Sequence, residues 1–194
     1  MIFQKCKTQK AITLTELIVS TMILGIIMTG IVSLDHALQV SSQGTSRNAL
    51  VAMRTSAIMQ HIIKNAQLAK GDSNTEAIMT ESVGPTFTIR IRQEGDVDPP
   101  TLATEKWATY TYSSATHVIL FCETPNLIIN CIAGNNIGTL SNMQASVIND
   151  PVKQRFYFET TLTNRLDLNA SADPFENPEM TLTSQTSPLS WSNN

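Results

Sequence analysis

Catalytic signatures, long charge runs and a dense cysteine framework are all missing from this 194-residue chain. There is no G-x-S-x-G, no P-loop and no dinucleotide-type glycine fingerprint, which removes the usual sequence routes to acyl or phosphoryl transfer and to nicotinamide chemistry. His36, His61 and His117 are scattered, and none stands at zinc-ligand spacing from a Cys, Asp or Glu. Cys122 follows the apolar run Val118-Ile119-Leu120-Phe121, not the electropositive, partly exposed setting of a nucleophilic thiol. The expectation is a chain that is not an enzyme and uses no cofactor and no metal. Proline is absent before Pro85, and no charged residue occurs from Leu17 to Leu34.

Charge is sparse and uneven. Charged residues make up 15% of the chain against 42% hydrophobic, and the formal net charge is -3. Lys5, Lys7 and Lys10 stand before residue 11 without an acid; setting them aside leaves ten basic against 16 acidic residues. With no basic stripe to neutralise phosphates, nucleic-acid binding is not expected. Of three cysteines, Cys6 lies in the basic start, while Cys122 and Cys131 form an even pair in a strand-rich region. Two readings stand for that pair: one disulfide formed in an oxidising compartment, or two buried thiols.

The run Leu17 to Leu34 (LIVSTMILGIIMTGIVSL) is close to the roughly 20 apolar residues that a helix needs to cross a bilayer. Lysines precede it and Asp35 follows, so the positive-inside rule puts the N-terminus in the cytoplasm and the rest on the far side. A secretory signal would carry a shorter apolar run followed by a small-residue cleavage site, which this sequence lacks. A plain signal anchor accounts for length and charge and leaves Glu16 unexplained. A carboxylate one turn inside an apolar segment is costly, about 2.5–3.5 kcal/mol at a helix centre on insertion scales, and such groups pair with something.

The stretch Lys10-Ala11-Ile12-Thr13-Leu14-Thr15-Glu16-Leu17 resembles the processing site of type IV prepilins and type II secretion pseudopilins. That family has a short basic leader, a small residue before the cut, a hydrophobic first mature residue and Glu at the fifth mature position. Ala11, Ile12 and Glu16 match those roles, with Thr13 and Leu14 matching the family's usual pair. Ala11 replaces the usual Gly, Ile12 the usual Phe, and the membrane segment lacks the Pro frequent in major pilins. The resemblance implies cleavage between Ala11 and Ile12 by a prepilin peptidase, N-methylation of Ile12, and assembly through Thr13, Leu14 and Glu16. Glu16 would face the new amine of a neighbouring subunit. Implied partners are other pilin or pseudopilin subunits and an inner-membrane assembly platform; the protein would sit single-pass in the inner membrane with its head in the periplasm, then enter a pilus or pseudopilus. The later sequence looks most like PilW-type minor pilins and J-type pseudopilins. The alternative is an uncleaved single-pass protein with a periplasmic adaptor domain.

Helical register continues past Asp35 to about Lys70. Leu50, Met53, Ala57, Ile58, Ile62, Ala66 and Ala69 approximate an apolar stripe, with Arg47, Arg54 and Lys64 on other faces. Gly44 marks a possible kink, and Lys70-Gly71 a stop. From Ala77 the period becomes two. Strands are expected at Thr86–Arg92, Trp107–Ser113, His117–Cys122, Asn126–Ile132, Met143–Asn149, Arg155–Leu162 and Glu179–Ser184. The second and third form a hairpin; the fourth and fifth pair around Gly134-Asn135-Asn136. The polar, twice-prolyl stretch Glu94 to Thr101 is a surface loop. Asp167, Asp173, Glu176 and Glu179, with Asn169 and Asn177, read as a solvated turn-forming tail; a calcium loop is the other option. The expected class is α+β: a long N-terminal helix, membrane-spanning in its first half and amphipathic in its second, packed on an antiparallel sheet. Its parts are a cleaved leader 1–11, an assembly helix 12–34, an amphipathic continuation 35–70 and a β-rich head 71–194.

Overall fold

The computed structural model describes residues 13–71, 76–93, 106–124, 131, 133–150, 155–174 and 176–189. The leader, the Ala11–Ile12 junction, the loop 94–101 and nearly all of the strand expected at 126–132 lie outside the described residues. Helix α1 spans Leu14–Gln67 and is unbroken at Gly44. The chain divides into two compact units, Met1–Gln43 and Gly44–Asn194.

In the first unit, every described residue is exposed. Leu14 is 76% and Ile26 72% accessible, and the other large apolar side chains up to Val40 are similarly bare. A helix that is apolar on all sides belongs inside a large core or a membrane. This is the one helix among the described residues long and apolar enough to cross a membrane.

The second unit begins with the rest of α1. Its buried face consists of Val51, Thr55, Ile58, Met59, Ile62 and Ala66, a set spaced by three and four residues. Leu50, Met53 and Ala57 are exposed instead, so the packed stripe is rotated from the expected one. Both choices obey helical spacing, and only the sheet opposite selects between them. The helix ends three residues before Lys70: Leu68 and Ala69 donate to Asn65 and Ala66 carbonyls at 3.1 and 3.3 Å. Lys70 N then donates to Arg92 O at 3.1 Å, which ties the exit to the sheet.

The helix packs on two antiparallel sheets. The first has the order β1(Ile78–Val83), β2(Thr86–Gln93), β3(Lys106–Ser113), β4(Val118–Thr124), β5(Asn135–Thr139); the second is β6(Asn142–Asp150), β7(Arg155–Arg165), β8(Glu179–Thr186). A single core runs through both. It joins Ile58, Ile62 and Ala66 of α1 to Ile89, Ile91 and Tyr110 of the first sheet and Met143, Phe158 and Leu162 of the second. Each large apolar side chain so buried contributes roughly 1.5–3 kcal/mol.

Hairpins account for most of the order. Val83 pairs with Thr86 across Gly84-Pro85, and Gly84 takes φ 58°, the left-handed value that the first position of a type II′ turn requires. Neither this turn nor β1 is among the expected elements. The β3–β4 hairpin is as expected, but His117 belongs to its turn, with φ 59°, rather than to the strand. Asn135 and Asn136, expected in a turn, are extended instead, and the strand expected before them lies almost wholly outside the described residues. Asn135 and Asn136 lie in β5, which pairs with β4, while β6 pairs along its whole length with β7. Chain neighbours with matching apolar alternation, Met143 against Leu162 and Val147 against Phe158, outcompete a turn inferred from composition alone.

A polar cluster joins the helix to β3. Asn65 Nδ2 donates to Tyr110 Oη at 2.5 Å, Tyr110 Oη and His61 Nδ1 lie 2.8 Å apart, and Gln93 Nε2 donates to Asn65 Oδ1 at 2.8 Å. The His61 ring meets Phe121 edge-on at 4.8 Å between centroids. Burial pushes the Tyr110 phenol well above its ordinary value, against the Asn65 bond that favours ionisation; burial also raises Tyr112.

Two outcomes are expected. Val51→Ala and Ile62→Ala lower head stability in denaturant titrations, by about 2–5 kcal/mol for Ile62→Ala, whereas Met53→Ala changes it by less than about 0.5 kcal/mol. Because the folded tyrosines hold their protons above the unfolded value, the stability they confer is complete below about pH 10. For buried Tyr110 it then falls by about 1.4 kcal/mol per pH unit until the phenol ionises in the folded state. Urea midpoints followed across this range test the slope, and Tyr110→Phe should flatten it.

Candidate assembly helix

The sequence Thr13-Leu14-Thr15-Glu16 places a hydroxyl residue three positions before a glutamate, immediately ahead of an apolar run. That is the pattern of a capping box, and the structure forms one. Thr13 is the residue before the helix; its backbone N–H and its Oγ1 each donate to Glu16 Oε2 at 3.0 Å. Glu16 N donates back to Thr13 Oγ1 at 3.4 Å. The carboxylate thereby satisfies a donor that the first helical turn leaves open, and its negative charge sits at the positive end of the helix dipole. This local role goes unnoticed when Glu16 is considered only as a partner for another chain. The T-x-x-E spacing was the available signal.

Of the residues expected to direct assembly, Thr13 and Glu16 are brought together, Leu14 is exposed beside them, and Ala11 and Ile12 lie outside the described residues. Both Thr13 bonds fall on one carboxylate oxygen, Oε2; an ionised carboxylate accepts about four hydrogen bonds. Further along, the hydroxyls turn inward on their own backbone. Ser20 donates to Glu16 O at 2.7 Å, Thr21 to Ile18 O at 2.9 Å, Thr29 to Gly25 O at 2.9 Å and Ser33 to Thr29 O at 2.8 Å. With these hydroxyls satisfied, the stretch offers a neighbour small side chains and close backbone approach at Gly25 and Gly30.

In the head, Cys122 and Cys131 are joined in a disulfide with their Cα atoms 5.8 Å apart. Gly134 passes so close that a Cβ there would meet Cys131 Sγ and stand 2.7 Å from Phe121 O. Glycine is required at that position by close approach. The tail acids are engaged in turn formation. Asp167 Oδ1 accepts from Asn169 N at 2.9 Å, Asp173 Oδ1 from Glu176 N at 2.7 Å, and Glu179 pairs with Arg165 at 2.5 Å. Asn177, buried, pins the loop by accepting from Asp167 N and donating to Asp167 O, both at 2.8 Å, and to Ser171 O at 3.0 Å. Among the described residues, no three His, Cys, Asp or Glu side chains are grouped to hold a metal ion.

Comparisons with protein-family models, with curated proteins and with solved structures give no match.

Removing the cap should delay the start of the helix. Thr13→Ala is expected to cost about 1 kcal/mol of helix stability at the first turn, read as faster amide exchange at Glu16 and Leu17 in micelles, while Thr13→Ser retains wild-type protection.

Proposed function

We propose that this chain is a minor pilin or pseudopilin, a structural subunit that is cut by a prepilin peptidase and joins a filament through its N-terminal helix. One observation carries the reading: a single carboxylate, Glu16, occupies the first turn of an apolar helix that then runs to Leu34 without a charge. Cleavage between Ala11 and Ile12 would create an amine one residue ahead of the Thr13 cap. A cation there opposes the positive end of its own helix dipole, so a carboxylate from an adjacent copy would relieve it. The Glu16 carboxylate has acceptor capacity beyond the two Thr13 bonds on Oε2, so it can keep the cap and take the amine. In a dry helix bundle, neutralising both charges offsets their desolvation and would set the axial register between subunits. The exposed apolar helix would wait in the inner membrane with the acidic head in the periplasm until extraction by the assembly platform. The head's role in this reading is presentation rather than catalysis.

A specific observation favours a second reading. Because Thr13 already satisfies Glu16, a lone uncleaved anchor with a periplasmic adaptor domain could also tolerate this residue.

Intact-mass measurement on protein from cells carrying the peptidase separates the two. A mass lacking residues 1–11 and gaining one methyl group is expected; a full-length, unmethylated mass overturns the filament reading. Glu16→Val should leave membrane insertion unchanged and abolish recovery in sheared filaments. Thr13→Ala, which removes the cap and keeps the acid, should still be incorporated.

A further inference from the structure

Sheet edges expose unpaired backbone donors and acceptors, and proteins usually blunt them with lysine, proline, bulges or short strands. Among the described residues the two sheets end in four strands, β1, β5, β6 and β8, and the first three are short or lie near another strand. β1 and β6 lie against one another. β5 is five residues long, carries Gly138 at φ 151° and faces a register shift at Ile119/Leu120. The fourth, β8, has eight residues, Glu179-Met180-Thr181-Leu182-Thr183-Ser184-Gln185-Thr186, with no lysine, proline or glycine. Its register with β7 is regular throughout, and among the described residues it bonds to a strand on one side only.

The outward face of β8 has a particular order. Glu179, Thr181, Thr183 and Gln185 are exposed, and each completes a polar rung with β7. Arg165 meets Glu179 at 2.5 Å, Thr163 meets Thr181 at 3.1 Å, Thr161 meets Thr183 at 3.0 Å, and Gln185 donates to Glu159 at 2.5 Å. Read backwards, the same face is Gln, Thr, Thr, Glu. An antiparallel second β8 centred on Leu182 therefore sets Thr181 against Thr183 of the other copy and Glu179 against Gln185 of the other copy. Both pair types already occur between β7 and β8. The one charged residue on the strand meets an amide in place of a like charge, which directly opposed carboxylates would penalise. Hydroxyl, amide and carboxylate all have capacity beyond their present bonds. On the inner face, Leu182 meets its own counterpart.

We propose that β8 is a self-complementary edge at which two copies of this chain pair antiparallel, joining two three-stranded sheets into one of six strands. The contact is isologous and closes at two subunits. It stands independently of the filament reading, since it uses no residue of the N-terminal helix.

Full-length chain carrying Cys6→Ser, in detergent micelles, tests it by mild oxidation of Glu179→Cys mixed with Gln185→Cys. Opposed positions fall within disulfide reach, whereas each variant alone places its sulfurs six residues apart along the strands, roughly 20 Å. The mixture should give roughly tenfold more cross-linked dimer than either variant alone, because only the mixture opposes the two sulfurs. Adding Thr181→Lys and Thr183→Lys should abolish that excess, with unchanged circular dichroism showing that the head stays folded, and Thr183→Ser should retain it. Equal cross-linking in mixed and unmixed samples, or an excess that survives both lysines, overturns the proposal. Dimerisation through the apolar helix alone would produce the first of these results.

Discussion

One constraint governs the rest of this structure: a single helix must meet two solvents. From Leu17 to Leu34 it carries no charged residue, and every described side chain up to Gln43 is uncovered within the chain. From Val51 to Ala66 it has one buried face, with Arg54, Gln60 and Lys64 off it. A helix in hydrocarbon can satisfy all its backbone groups internally, and the Ser and Thr hydroxyls follow by bonding to carbonyls one turn back. The one polar group that this solution leaves over is at the start, where the first turn has open N–H groups. Thr13 and Glu16 close that end between them.

The head is organised around the same helix by a different balance. Its core is continuous across two sheets, so neither sheet has an independent apolar interior. The His61, Asn65, Tyr110 and Gln93 cluster adds direction to that burial. Apolar packing permits a helix to slide by a turn at modest cost, whereas a buried hydroxyl with fixed donors does not. The Cys122–Cys131 disulfide and the tight passage of Gly134 hold the chain where β4 leads toward β5. The Asn177 bonds do the same for the turn entering β8.

The two contact modes proposed here differ in symmetry. Pairing a carboxylate with the amine of the next copy is heterologous and can repeat along a filament. Pairing β8 with β8 closes on itself. A subunit with both has one open-ended surface and one that saturates, which suits a component present in few copies better than a bulk building block.

The apolar run, the charge asymmetry and the lone acid at Glu16 were legible without coordinates, because each depends on neighbours within a turn or two of chain; the cap that Thr13 forms with it was missed. So were the hairpin turning at residues 114–116 and the strands at Thr86, Arg155 and Glu179, where alternation and turn residues agree locally. The rotation of the buried stripe from Leu50 and Met53 to Val51 and Thr55 was not legible, since both sets obey helical spacing and only the opposing sheet chooses. The partner of β6 was equally hidden: register depends on which distant apolar face wins, and Asn135-Asn136 looked like part of a turn until pairing with β4 drew them into a strand. Sequence alone determined that one helix is too apolar for water and carries a single acid near its start, since both properties are local. Tertiary structure decided the split into two sheets and left β8 bonded on one side among the described residues, because a strand is an edge only once the others have found their places.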